Sequence, residues 1–118
     1  MNIVVTSPKN QDLLHKVEDP FHSFWSLKKR PKQLKVGDIV WVVKNGRVVA
    51  GFLIRKIVHA KKPVRNAIGH NPEDCWRIWF GGLIPDDELE ELGVLDERGN
   101  PRIEVKGFQG FRYQWWAQ

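Results

Sequence analysis

Residues 34–58 read LKVGDIVWVVKNGRVVAGFLIRKIV, two runs rich in β-branched residues that meet at the dipeptide Asn45-Gly46. A two-residue connection between paired strands needs positive φ at both central residues, and Asn followed by Gly tolerates this best. The stretch commits the chain to an antiparallel hairpin, and the remaining segments must pack around that ribbon. Val36-Gly37-Asp38 turns the chain into a first strand, Ile39–Val43, and Arg47–Val58 supplies a second, long enough to bend at Gly51.

The flanks are shorter. NIVVT (2–6) is β-branched and reads as a buried strand. Ser7 followed by Pro8 marks a helix start, so a short helix is predicted from Pro8 to Val17, broken by Pro20. Pro31 keeps the cationic stretch after Trp25 from being a long helix and leaves it irregular or a single helical turn. Residues 59–75 hold Pro, Gly and Asn with no sustained period and read as a long loop. WRIWF (76–80) is a further strand before Gly81-Gly82. Pro85, the acids after it and Gly93 bound a short helix. A turn at Gly99-Asn100-Pro101 with a short strand, and the β-prone FRYQWW (111–116), complete the chain. The expected architecture is α+β: one domain over residues 1–118, a small, partly closed mixed β-barrel flanked by short helices.

Composition narrows the class. With 42% hydrophobic residues in a chain of 118, one core is sustainable without staples, and there is no apolar run long enough for a membrane span. The start of the chain lacks the basic and apolar regions of a secretory signal, so a cytoplasmic monomer is expected. Cys75 stands alone and the four histidines lack ligand spacing, which argues against a disulfide, a metal or another cofactor. The net charge of +5 divides unevenly: residues 1–72 carry 14 Lys/Arg against 4 Asp/Glu, and residues 73–118 carry 5 against 10. A basic majority beside a compact acidic segment favours a face that attracts polyanions.

FWSLKKRPKQLK (24–35) is where charge and aromaticity meet. Trp25 lies outside every predicted strand and beside cations, so it reads as a contact residue, whereas Trp41, Trp76 and one of Trp115 or Trp116 read as core. Lys28, Lys29, Arg30, Lys32 and Lys35 are candidate phosphate contacts, which Arg55, Lys56, Lys61, Lys62 and Arg65 could extend along the barrel rim. Ser7 and Asn10 can cap the first helix, and a helix start also points free N–H groups outward.

Lys35-Val36-Gly37-Asp38 before an apolar strand, with Val49-Ala50-Gly51 in its partner, resembles the PUA-like superfamily, and within it the EVE and YTH domains. VVTSPKNQD (4–12), SFWSLKKR (23–30) and WRIWFGGLIP (76–85) extend the similarity over nearly the whole chain. The resemblance implies a non-catalytic reader of DNA or RNA that takes a modified base into an aromatic pocket. It matches Trp25 to a cage wall, Ser26 to a main-chain contact with the base, and Ser7 with Asn10 or Asp12 to the polar rim. YTH domains carry further cage Trp residues before the later strand, where this chain has His59 and His70. Trp76, Phe111, Tyr113 and Trp115 are therefore the candidates for the second wall. ASCH domains share the Lys-x-Gly-Asp feature and include small amidohydrolases, which would use Lys16 with Glu18 or Lys106 with Glu104. No nucleophile elbow, phosphate-cradling loop or His-Glu zinc motif is present. A protein-interaction module is the third alternative.

Overall fold

The computed structural model describes residues 1–6, 24–60, 64–66, 69–71, 75–107 and 111–116. The strands are β1 (Ile3–Thr6), β2 (Phe24–Leu27), β3 (Ile39–Lys44), β4 (Arg47–Ala60), β5 (Val64–Asn66), β6 (Gly69–Asn71), β7 (Cys75–Leu83) and β8 (Phe111–Tyr113), with one helix, α1 (Asp86–Glu91). Six strands form one sheet in the order β2-β7-β4-β3-β1-β8, and β5 pairs with β6 apart from it. β1 runs parallel to β3 and all other neighbours are antiparallel, so the sheet is mixed. At its centre is the predicted hairpin: Asn45 and Gly46 have φ of 54° and 75°, the two left-handed residues of a type I′ turn.

Bulges curl the sheet into a half-barrel. The register slips between Val42 and Val43 on β3, and twice where β4 meets β7, around Phe52/Ile54 and Ile54/Lys56. Each slip adds local twist and bends the strand. The inner face gathers Ile3, Val5, Leu27, Val40, Val42, Phe52, Ile54, Ile78 and Phe80, with Trp25, Ile57, Phe111 and Tyr113 partly buried against them. Residues from all six strands converge there, which identifies it as the concave side. The outer face has its own core, Val4, Trp41, Val43, Val48, Ile84, Leu89, Val94, Leu95 and Val105, beneath α1 and the segment after it. Burial on both faces explains the near-continuous apolar reading of β3.

Gly51 is required by this second core. A Cβ there would lie 2.7 Å from Trp41 Cζ3, because the indole lies across the glycine opposite it in the ladder. The helix is closed by Gly93 in the left-handed region, φ 77°. The Gly93 N–H donates to Glu90 O, and the Val94 N–H to Leu89 O at 2.9 Å. Leu89 and Val94 are both buried, completing a Schellman motif.

The structure departs from the sequence reading in four places. Residues 24–27, expected to be irregular, form β2, because alternation puts Phe24 and Ser26 on one face, Trp25 and Leu27 on the other, and β7 supplies the ladder. Residues 59–75 are not one loop: β4 continues to Ala60, β5 and β6 form a small hairpin, and β7 begins at Cys75. Pairing of His59 with Trp76 and Ala60 with Cys75 holds the chain extended beyond the local signal. The domain is also mostly β, with α1 the single helix among the described residues. The helix predicted over 8–17 lies outside them. The strand expected near residue 102 is reduced to isolated bridges, Arg47 with Glu104 and Leu95 with Pro101.

Candidate binding site: an aromatic rim crossed by a cationic segment

On the concave side of the β2, β7 and β4 ends, alternation presents Trp25, Trp76 and His59 on one face. Trp25 lies opposite Ile78, Trp76 opposite Leu27 on one side and His59 on the other. The His59 and Trp76 rings are 4.7 Å apart and tilted by 30°. The Arg30 guanidinium sits over the Trp76 ring, 5.3 Å from its centroid. Trp25 packs against the inner core, and its Nε1 is buried with no acceptor among the described residues. Trp76 is only partly buried, so it is a rim residue and not the core residue expected.

The chain leaves β2 through Lys28, Lys29 and Arg30, all exposed, and then dips inward. Pro31 and Leu34 are buried, Leu34 in the inner core, and the Leu34 N–H donates to Pro31 O at 3.2 Å. This is the single turn that Pro31 permits. Lys32 and Lys35 stay exposed. The Gln33 N–H donates to the Tyr113 hydroxyl at 3.0 Å. One short segment thus runs from the β2 edge, where Arg30 covers Trp76, to the β8 edge, where Tyr113 holds Gln33. Phe111 packs edge-on against Tyr113 at 5.5 Å, on the same concave side.

Of the residues expected to form a pocket, Trp25, Phe111 and Tyr113 therefore share the concave face, on opposite edge strands. Ser26 points to the other face, beside Arg77, so any contact it made with a base held at Trp25 would be through its main chain. Ser7, Asn10, Asp12, Lys61 and Lys62 lie outside the described residues, and Arg65 belongs to β5. Trp115 is exposed beneath Arg112 and packs edge-on against Trp116, which meets Trp41 of the outer core. It belongs to the other side of the sheet from Trp25. Arg55 and Lys56 also lie on that outer face, not on the rim. Glu104, considered for an amidohydrolase, is bound to Arg47 at 3.0 Å beside the hairpin turn. His59 was expected in a loop, and Trp76, a second-wall candidate by the resemblance, was read from its strand as core. Their pairing across β4 and β7 is a non-local contact with no local sign. Among the described residues, no three His, Cys, Asp or Glu side chains are grouped to share a metal ion.

Comparison with protein-family models, with characterised proteins and with solved structures finds no match.

Proposed function

We propose that the chain is a non-catalytic nucleic-acid-binding module that holds a modified base at the Trp25–Trp76 rim and its phosphates along Lys28, Lys29, Arg30 and Lys32. The observation that carries the reading is the placement of Arg30 over Trp76, beside His59 and Trp25, with exposed lysines on either side. Flat aromatic faces accept any base by stacking, and a guanidinium over such a ring can meet both a base and a phosphate. The curled mixed half-barrel is consistent with the PUA-like resemblance of Lys35-Val36-Gly37-Asp38 and SFWSLKKR, and that finer assignment forms part of the proposal.

Phosphate contacts release counterions, so affinity for an oligonucleotide should fall linearly on a log–log plot against salt. Lys28→Ala, Lys29→Ala and Arg30→Ala combined should weaken binding to all sequences about equally and flatten that slope by about 2, at about 0.7 per contact for a single strand. The check is a fluorescence-anisotropy titration at several salt concentrations. A triple variant that binds with the parent's affinity and slope would reduce the basic run to a solvated surface.

A further inference from the structure

On the outer face of the same three strands lies a second group of rings and cations. Phe24 and Trp79, directly opposite in the β2–β7 ladder, have ring centroids 4.6 Å apart. The Arg77 guanidinium lies over Phe24 at 5.3 Å; Arg55 and Lys56 both lie over Trp79, at 5.4 and 4.9 Å. Consecutive residues of a strand ordinarily point to opposite faces. Here the bulge that pairs Ile54 with Phe80 but Lys56 with Trp79 inserts Arg55 as an extra residue and turns both cations to one side. Gly81 makes room for this: a Cβ on it would lie 3.2 Å from Leu53 O and 3.5 Å from Arg55 Cβ.

We propose that this outer face, Arg55, Lys56 and Arg77 ordered by Trp79 and Phe24, is a second binding surface for the phosphate backbone of a nucleic-acid strand, continuous with the concave rim around the β2 edge. The inference rests on the reading of the chain as a nucleic-acid binder and adds to it a longer footprint. Charge complementarity selects the occupant. β2, β4 and β7 contain no carboxylate, and Arg47, their cation at the far end of β4, is paired with Glu104; apart from Asp38, the described acids lie on α1 and the segment after it. Aromatic rings hold the cationic heads in fixed positions, which lowers the ordering entropy that flexible lysines and arginines lose on meeting a phosphate. The two surfaces are also contiguous. β7 carries both Trp76 and Arg77, and only the four-residue edge strand β2 lies beyond it, so the two faces meet around β2. A strand passing that edge meets the rim first and the outer cations next.

The test compares the parent, Arg55→Gln/Lys56→Gln, and a charge-matched control, Arg98→Gln/Lys106→Gln, against single strands of about 4 and about 16 nucleotides, the span covered by small single-strand-binding modules. For the long strand, the outer-face variant should show a log K against log salt slope shallower by about 1.4, about 0.7 for each cation removed. For the short strand it should match the parent, and the control should match the parent on both. An unchanged slope on the long strand, or equal losses in variant and control, overturns the second surface while leaving the rim reading intact. A parent that binds neither strand at any salt overturns both.

Discussion

Asp38 shows how one side chain fixes the entry to the central hairpin. Its carboxylate accepts from the Met1 ammonium and from the Lys35 N–H, each at 2.8 Å, and its backbone carbonyl accepts from the Ile54 N–H. Burial by itself would raise its pKa, but the hydrogen bonds and positive charges of Met1 and Lys35 outweigh that and hold it below the ordinary aspartate value. A depressed folded-state pKa contributes stability that is complete above the unfolded value of about 3.9 and is lost as pH falls through the folded one. Asp38→Asn should therefore melt below the parent at neutral pH. The gap should be constant down to about pH 5 and close as pH falls through the unfolded aspartate value of about 3.9 and then the lower folded one. Thermal melts across that range provide the check, and a gap that widened in acid would contradict the assignment.

At the scale of elements, the hairpin turn and the candidate site sit at opposite ends of β4, separated by up to about 40 Å of extended chain. Gly46, at φ 75°, also gives its carbonyl to the Val105 N–H at 2.8 Å, so the turn docks the segment after α1. Gly46→Val should lower stability by about 1–3 kcal/mol through the backbone, with oligonucleotide affinity of the folded protein unchanged; denaturant titration and anisotropy separate the two. The turn was legible because two adjacent residues specify it. So was α1, bounded by Pro85 and Gly93. β2 was not, because four residues become a strand only through pairing with Trp76–Trp79 some fifty positions later in the chain. Nor was the shared direction of Arg55 and Lys56, since a bulge is a property of two strands in register and leaves no mark in either alone. The same limit applies to Trp76, which periodicity within WRIWF places on the face of Ile78 and Phe80 without saying that the core ends before it reaches the rim.

Over the whole molecule, most of the described acids lie apart from the ring-bound cations. The acidic helix covers the outer core under β3 and β1, and the cations gather where β2, β7 and β4 end. On the proposed reading, that separation would orient a polyanion toward the rim before any base is read. Positioning by phosphates and discrimination by stacking are then distinct contributions, which can be removed one at a time. The central claim is that Trp25 and Trp76 supply the discrimination. It is tested most directly by titrating the parent, Trp25→Ala and Trp76→Leu against a panel of modified and unmodified strands at fixed salt, with folding checked by circular dichroism. Loss of one stacking face should cost about 1–3 kcal/mol, about five-fold to 150-fold in affinity for the preferred strand. The account predicts that the folded variants lose the parent's preference for a modified base and keep the salt-dependent component. Folded variants that retain the parent's preference, or a parent that shows none across the panel, would contradict it.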